Sequence, residues 1–295
     1  MIAGIIGAAG YAGVELIRLL LAHPHISGLV LASVSSPGED IATIYPNFLG
    51  AGLDDAGTST ANPALAKFGK TGRVLVSPED LIPRSGVVFG ALPAGTGEGY
   101  ARACLDRGIS YIDLSADFRF DDDEDTYRAW YGKPYGYPEL RKRAVYGLPE
   151  LNRNRIRELV ASGPVIIGNP GCYPTGASLG AFPALAKGLA ADSAVIIVDS
   201  ASGTTGGGRE PSRSFHYAEC ADSIAPYKVA AHRHSPEIAR NFSAMSALAG
   251  TAGSGIAAAD NADRAKNHTV IFTPHLVPMN RGILSTIYIP LAAEW

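Results

Sequence analysis

Apolar residues recur along this chain with two periods. Ile2 to Ile6 form an apolar run, the turn Gly7-Ala-Ala-Gly10-Tyr-Ala-Gly13 follows, and then Val14, Leu16, Ile17, Leu20 and Leu21 recur at helical spacing. This predicts strand, glycine turn and helix. Further strands are predicted over 29–34, 73–76, 87–91 and 110–114, with a helix over 99–107 between the last two. Strands alternating with helices predict a parallel α/β sheet. In the second half the pattern predicts strands at 165–168, 194–199, 270–273 and 283–289 and a helix over 174–187. Ser235 followed by Pro236 predicts another helix start, with the serine hydroxyl as cap and proline at the first position, running toward Gly250.

Between these halves the character changes. Residues 121–125 are a five-acid run, 130–137 are aromatic with Gly and Pro, and 141–143 are a basic triplet. These charge runs are expected to be solvated loop without chemistry. They are expected to connect two domains, 1–149 and 150–295, which suits a chain of 295 residues at roughly 150 per domain. The Ala/Gly/Ser stretch 246–259 is expected to be a flexible surface segment.

Composition narrows the function. With a net charge of −3 the chain lacks the overall basic footprint of a nucleic-acid binder, and no nucleic-acid partner is expected. No span of about 18 uncharged apolar residues offers a membrane helix, so no membrane partner is expected either. Cys104, Cys172 and Cys220 are an odd number without C-x-x-C spacing, which fits reduced thiols in the cytoplasm rather than disulfides or zinc. The first fourteen residues are uncharged, but no Lys or Arg precedes them, so they read as strand and turn rather than an export signal.

Four clusters could carry chemistry. The turn Gly7, Gly10, Gly13 would let backbone amides approach a pyrophosphate at a positive helix N-terminus, although its spacing departs from G-x-G-x-x-G. Strand two runs into Ser33-Val-Ser35-Ser36 with no acidic residue for a ribose 2′-hydroxyl, which favours NADP over NAD. In Gly168-Asn-Pro-Gly-Cys172-Tyr-Pro-Thr-Gly176 a strand ends in a turn and Cys172 falls at a helix N-terminus. That position is expected to lower a thiol pKa, which makes Cys172 the nucleophile. Cys104, inside a helical pattern, reads as a buried apolar residue. His232-Arg-His234, just before the Ser235-Pro236 helix start, offers a histidine as acid/base partner. The other histidines show no paired spacing with it, and no metal site is expected. Ser202-Gly-Thr-Thr-Gly-Gly-Gly-Arg209 offers amides and a fixed charge for an anion, and Arg119 is a second anion clamp.

Taken with Leu114-Ser-Ala-Asp-Phe-Arg-Phe120, Tyr146-Gly-Leu-Pro-Glu-Leu-Asn-Arg153 and Thr273-Pro-His-Leu-Val-Pro-Met-Asn-Arg-Gly-Ile-Leu-Ser285, these clusters make the chain resemble the N-acetyl-γ-glutamyl-phosphate reductases, within the aspartate-semialdehyde-dehydrogenase-like superfamily, over nearly its whole length. The resemblance implies a Rossmann-type NADP-binding domain over 1–149 and a catalytic and oligomerisation domain over 150–295, α+β with a mixed sheet. It also implies NADPH-dependent reduction of an acyl phosphate through a thioester on Cys172, with His232 as the acid/base, in arginine biosynthesis, by a homodimer or homotetramer. By the same resemblance Arg119, Ser202, Arg209, Tyr227 and His234 position substrate, while Gly7, Gly10, Tyr11, Ala12, Gly13, Ser36, Ala91, Leu92, Pro93, Ser202 and Gly203 line the cofactor. A sister reductase of a carrier-linked aminoadipyl phosphate shares these motifs. Family members also continue past Ile289-Pro-Leu-Ala-Ala-Glu-Trp295 into a turn and helix that return to the cofactor domain. The chain is therefore expected to be truncated or completed by a partner, with lower stability and weaker cofactor binding, or to be a noncatalytic NADP-binding protein.

Overall fold

The computed structural model describes residues 1–49, 73–249 and 268–293. They form two compact units: Met1–Phe118 with Tyr135–Ala144 and Ser162–Asn169, and Arg119–Pro134 with Val145–Ala161 and Pro170–Trp295. This is not the single cut after 149. The chain returns to the first unit at 162–169 because that segment supplies a further strand to its parallel sheet.

In the first unit β1 (Ile2–Ile6), α1 (Tyr11–Leu21), β2 (Gly28–Ala32), β3 (Val87–Gly90), α2 (Glu98–Leu105), β4 (Ser110–Asp113), β5 (Ala144–Tyr146) and β6 (Ile166–Gly168) build a sheet of order β2-β1-β3-β4-β6-β5. The pairs β1–β2, β1–β3, β3–β4 and β4–β6 are parallel. Alternate side chains leave opposite faces, and both faces are buried, as a parallel sheet requires. Ala3, Ile5, Leu29 and Leu31 pack with Val14, Ile17, Leu20 and Leu21 of α1, whereas Ile6, Val30, Val88 and Tyr111 pack with Ala101 and Cys104 of α2. Cys104 is thus the buried apolar residue its helical setting predicts, and burial pushes its thiol up to about 12.

Two expectations fail here. The strand at 73–76 is reduced to isolated bridges, Ala32 with Val76 and Asp40 with Val74, because the segment turns across the end of β2 instead of running along it. The basic triplet is not all solvated loop. Arg141 is buried, lies over the Phe118 and Tyr135 rings at 4.4 and 3.8 Å, pairs with the buried Glu98 and donates to the Asp117 carbonyl at 2.6 Å.

The second unit contains α3 (Glu124–Tyr131), α4 (Pro149–Ala161), α5 (Cys172–Ala186), β7 (Val195–Ser202), β8 (Ala225–Pro226), α6 (Ser235–Ser246), β9 (Thr269–Leu276) and β10 (Ile283–Tyr288). Its sheet, of order β10-β7-β9-β8, is mixed: β7 and β9 are parallel, while β10 and β8 are antiparallel to their neighbours. One face is covered by Tyr173, Ala177, Ala181 and Leu185 of α5 and Ile238, Phe242 and Met245 of α6, over Ile196, Val198 and Phe272. Outward on the other face, Val195, Ile197, Ile271, Leu284 and Tyr288 are exposed. The acidic run is partly structural: Asp123 caps α3 by accepting the Thr126 N–H at 2.9 Å, and Asp121 and Asp122 pair with Arg240 at 3.0 and 2.6 Å. Ser235 is the first helical residue of α6 rather than its cap; His234 occupies the flanking position and caps with no side-chain bond. Of the stretch 246–259 expected to be flexible surface, Ser246 is the buried last residue of α6, with its hydroxyl 2.8 Å from His268 Nε2, and residues 250–259 lie outside the described residues.

Arg141→Ala is expected to cost about 3 kcal/mol in urea unfolding, since it leaves the Glu98 charge buried without its cation. A loss near that of an exposed pair, under about 1 kcal/mol, would contradict this role for Arg141.

Candidate active site

The first unit brings most of the predicted cofactor residues to one sheet edge. Strands β2 and β3 lie on opposite sides of β1, the switch point at whose carboxyl ends ligands of such sheets bind. There Gly7 adopts φ +84°, and a Cβ on it would lie 2.2 Å from the Ala91 carbonyl oxygen, so only glycine lets the turn meet the Ala91-Leu92-Pro93 segment. Helix α1 has no side-chain cap, and Val14 N–H to Gly10 O, at 2.9 Å, is its first internal bond. The N–H groups of Tyr11, Ala12 and Gly13 are therefore left over for an anion. Ser36 sits past β2 in a tight turn, its N–H donating to Ser33 Oγ at 3.1 Å.

The second unit holds the cysteine that the sequence singles out as nucleophile. Cys172 is the first residue of α5, two residues earlier than the predicted start. It keeps an exposed face, yet crowding on its other side desolvates the thiol and pushes its pKa up. The Tyr173 N–H, Arg119 and its own N–H pull the other way without overcoming this. The expectation of a lowered thiol pKa is thus reversed, because desolvation outweighs the helix terminus.

His232 is buried, with its ring edge-on to Tyr173, Tyr227, His234 and Phe272 at 4.8–5.7 Å between centroids. Burial first, then Lys228 and Arg233, pull its pKa down to about 4. Its Nδ1 accepts the backbone N–H of His234 at 3.1 Å. A backbone amide can only donate, so neutral His232 carries its proton on Nε2. The same logic applies to His234, whose Nε2 is 3.2 Å from Nη1 of Arg119. Arginine only donates, so His234 is the Nδ1–H tautomer, and burial together with Arg119 holds its pKa well below the ordinary value. The Arg119 guanidinium also lies 3.5 Å from Glu237.

The remaining predicted residues divide. The Tyr227 and Tyr173 hydroxyls are 2.7 Å apart, so Tyr227 reaches this cluster through Tyr173, whereas Ser202 Oγ donates to the Gly203 carbonyl at 3.2 Å. The glycine-rich loop is not an open cradle. The N–H groups of Gly203, Thr204, Thr205, Gly206 and Gly208 donate to the carbonyls of Gly282, Met279, Asn280, Gly203 and Thr205, because the loop packs on the connection between β9 and β10. Arg209 is exposed beyond that loop. Among the described residues, no group of three His, Cys, Asp or Glu could hold a metal ion.

Residues 2–159 match the family model described as semialdehyde dehydrogenase, NAD binding domain, and residues 172–295 match semialdehyde dehydrogenase, dimerisation domain. N-acetyl-γ-glutamyl-phosphate reductase of Clostridium beijerinckii is 43% identical over 97% of this chain and 70% of its own length. That of Moorella thermoacetica is 43% identical over 98% and 71%. This chain belongs to the N-acetyl-γ-glutamyl-phosphate reductase family. Among solved structures, aspartate semialdehyde dehydrogenase of Candida albicans (16% identity, TM-score 0.59, 99% of this chain and 71% of that one) shares the fold. So does aspartate semialdehyde dehydrogenase II of Vibrio cholerae (13% identity, TM-score 0.61, 98% and 73%).

Sequence reasoning missed Tyr173, Tyr146 and Glu237 in this cluster. Tyr173 and Tyr146 lie inside motifs that carry the resemblance, and Glu237 is three residues past His234 at the start of α6. The tautomers could not be read from sequence, since they depend on which donors meet each ring.

His232 titrates at about 4 when folded and near 6.5 when unfolded. Between those values the unfolded chain binds more protons, so burial of His232 is expected to make stability fall as pH drops from 6.5 toward 4. Nitrogen-15 spectra of the imidazoles are expected to show His232 as the Nε2–H form with its midpoint at about 4. A midpoint near 6.5, or the Nδ1–H form, would contradict the geometry.

Proposed function

We propose that this protein reduces N-acetyl-γ-glutamyl phosphate to N-acetylglutamate 5-semialdehyde with NADPH, releasing phosphate, as a step of arginine biosynthesis. The observation that carries the reading is Cys172 at the first residue of α5 with the Arg119 guanidinium acting on its thiol, in a chain whose relatives carry that reductase name. The cofactor supplies hydride when bound. Its pyrophosphate suits the uncapped start of α1, and the absence of an acidic residue in Ser33-Val-Ser35-Ser36 supports the 2′-phosphorylated form.

In the reaction Cys172 sulfur forms a bond to the γ-acyl carbon while the bond from that carbon to the phosphate oxygen breaks, leaving a thioester and free phosphate. Hydride addition at the thioester carbon gives a thiohemiacetal. Its oxyanion takes the Nε2 proton of His232, which the Nδ1 bond to His234 N–H has placed on that nitrogen. Collapse returns the proton to His232, breaks the carbon–sulfur bond and releases the aldehyde. The free thiol is not pre-ionised, because burial favours its protonated form, so its proton passes to the departing phosphate as the sulfur attacks, and the thiolate freed on collapse regains a proton from solvent. Arg119 offers a fixed cation for an anionic group of the substrate, with Tyr227 further along the cluster through Tyr173.

The exposed apolar face of the second sheet supports a homodimer or homotetramer, since a second copy placed there would cover it. All three cysteines are free, which supports a reducing compartment, the cytoplasm.

Mixing N-acetylglutamate semialdehyde, phosphate and NADP with the protein is expected to produce NADPH absorbance that vanishes without phosphate. Cys172→Ser is expected to lower this rate on the order of 10⁴-fold. Wild-type-like turnover in that variant would overturn the mechanism. In sedimentation, Ile197→Asp with Leu284→Arg is expected to yield monomers. An unchanged assembly would remove this face from the interface.

A further inference from the structure

Three of the groups that set the start of α5 converge on one carboxylate. Glu237, in the first turn of α6, is 1% exposed. Its Oε1 accepts the N–H of Gly171 and the hydroxyl of Tyr146, both at 2.8 Å, and its Oε2 faces Nη1 of Arg119 at 3.5 Å. The Tyr146 oxygen in turn accepts from Asn241 Nδ2 at 2.9 Å, and the same nitrogen donates to Ser178 Oγ at 2.9 Å. Burying a carboxylate is costly, and a well-packed apolar residue stabilises such a place as well or better. What an apolar residue could not do is accept from a backbone N–H and a guanidinium at once.

We propose that Glu237 is a positioning residue of the reductase: one oxygen fixes the Gly171 peptide leading into Cys172, and the other fixes Arg119. The proposal rests on reading Cys172 as the nucleophile and Arg119 as the anion-binding group. Nucleophile and clamp are then tied to one side chain, so neither shifts without the other. Gly171 has little freedom to compensate, since a Cβ there would lie 2.5 Å from His234 Nε2. The two charges also act oppositely on Cys172: Arg119 favours the thiolate and Glu237 opposes it.

The full chain is compared as wild type, Glu237→Gln, Glu237→Leu and Cys172→Ser. The readouts are thermal melts, kcat and KM in the phosphate-dependent assay, and iodoacetamide alkylation of the Cys172 peptide against pH. Glutamine keeps an acceptor for Gly171 but sets an amide donor against Arg119. It is expected to raise KM about tenfold, keep kcat within about threefold and move the alkylation profile to lower pH. Leucine also strips the acceptor from the Gly171 N–H, so kcat is expected to fall about a hundredfold in addition. If Glu237→Leu does not fold, Glu237→Gln decides alone. A folded Glu237→Gln with wild-type KM and wild-type alkylation profile would overturn the positioning role, even where Cys172→Ser is inactive. Turnover retained in Cys172→Ser would instead overturn the underlying reductase mechanism.

Discussion

The contact on which the site depends is the approach of the Gly171 backbone to the edge of the His234 imidazole. A methyl group at 171 would meet that ring at 2.5 Å, so the start of α5 and the start of α6 are pressed together with no room for a side chain. The approach is held from behind by the apolar packing of α5 and α6 over β7 and β9, where Ala177, Ala181, Ile238, Phe242 and Val198 are completely buried. Small residues on α5 and larger ones on α6 let the two helices close up. Their first turns bring Cys172, His234 and Glu237 into one cluster.

That closeness dictates the charge states. A cationic His234 would face Arg119, which its Nε2 meets at 3.2 Å, so the imidazole stays neutral and accepts. Burial is the leading cause for both imidazoles, and for His232 it is burial among aromatic edges, with Lys228 and Arg233 nearby. The cluster therefore combines one guanidinium, one carboxylate, two neutral imidazoles and a thiol. Neutral His232 with its proton on Nε2 suits giving a proton to a developing oxyanion. Burial of the Cys172 thiol favours its protonated form.

Much of this was legible in the chain, for stated reasons. The turn Gly7 to Gly13 and the break before Cys172 show because backbone constraints force particular residue types, and Gly7 at φ +84° against Ala91 is such a constraint. Strand patterns were legible because burial alternates along β7 and β10. The misreadings share a cause, namely that local patterns say nothing about distant partners. Arg141 looks like part of a solvated basic triplet until Glu98, Phe118 and Tyr135 surround it, and Asp121 looks solvated until Arg240 arrives from α6. The helix terminus at Cys172 was visible, but the desolvation that outweighs it was not.

The alternation that makes β7 legible also explains why the second sheet is built to be shared. Ile196, Val198 and Ser200 turn toward the helices, which forces Val195 and Ile197 to the other side. Register then aligns Tyr288, Ile197 and Ile271 as one row across β10, β7 and β9. A sheet with one wet face would place polar residues along such a row. Here that row is apolar across three strands while the next on the same face, Thr286, Asp199 and Thr273, is polar, so the face left open by the helices carries an apolar stripe beside a polar one. The cluster of Cys172, His234 and Glu237 lies on the helix-covered side, where α5 and α6 begin, away from that open face.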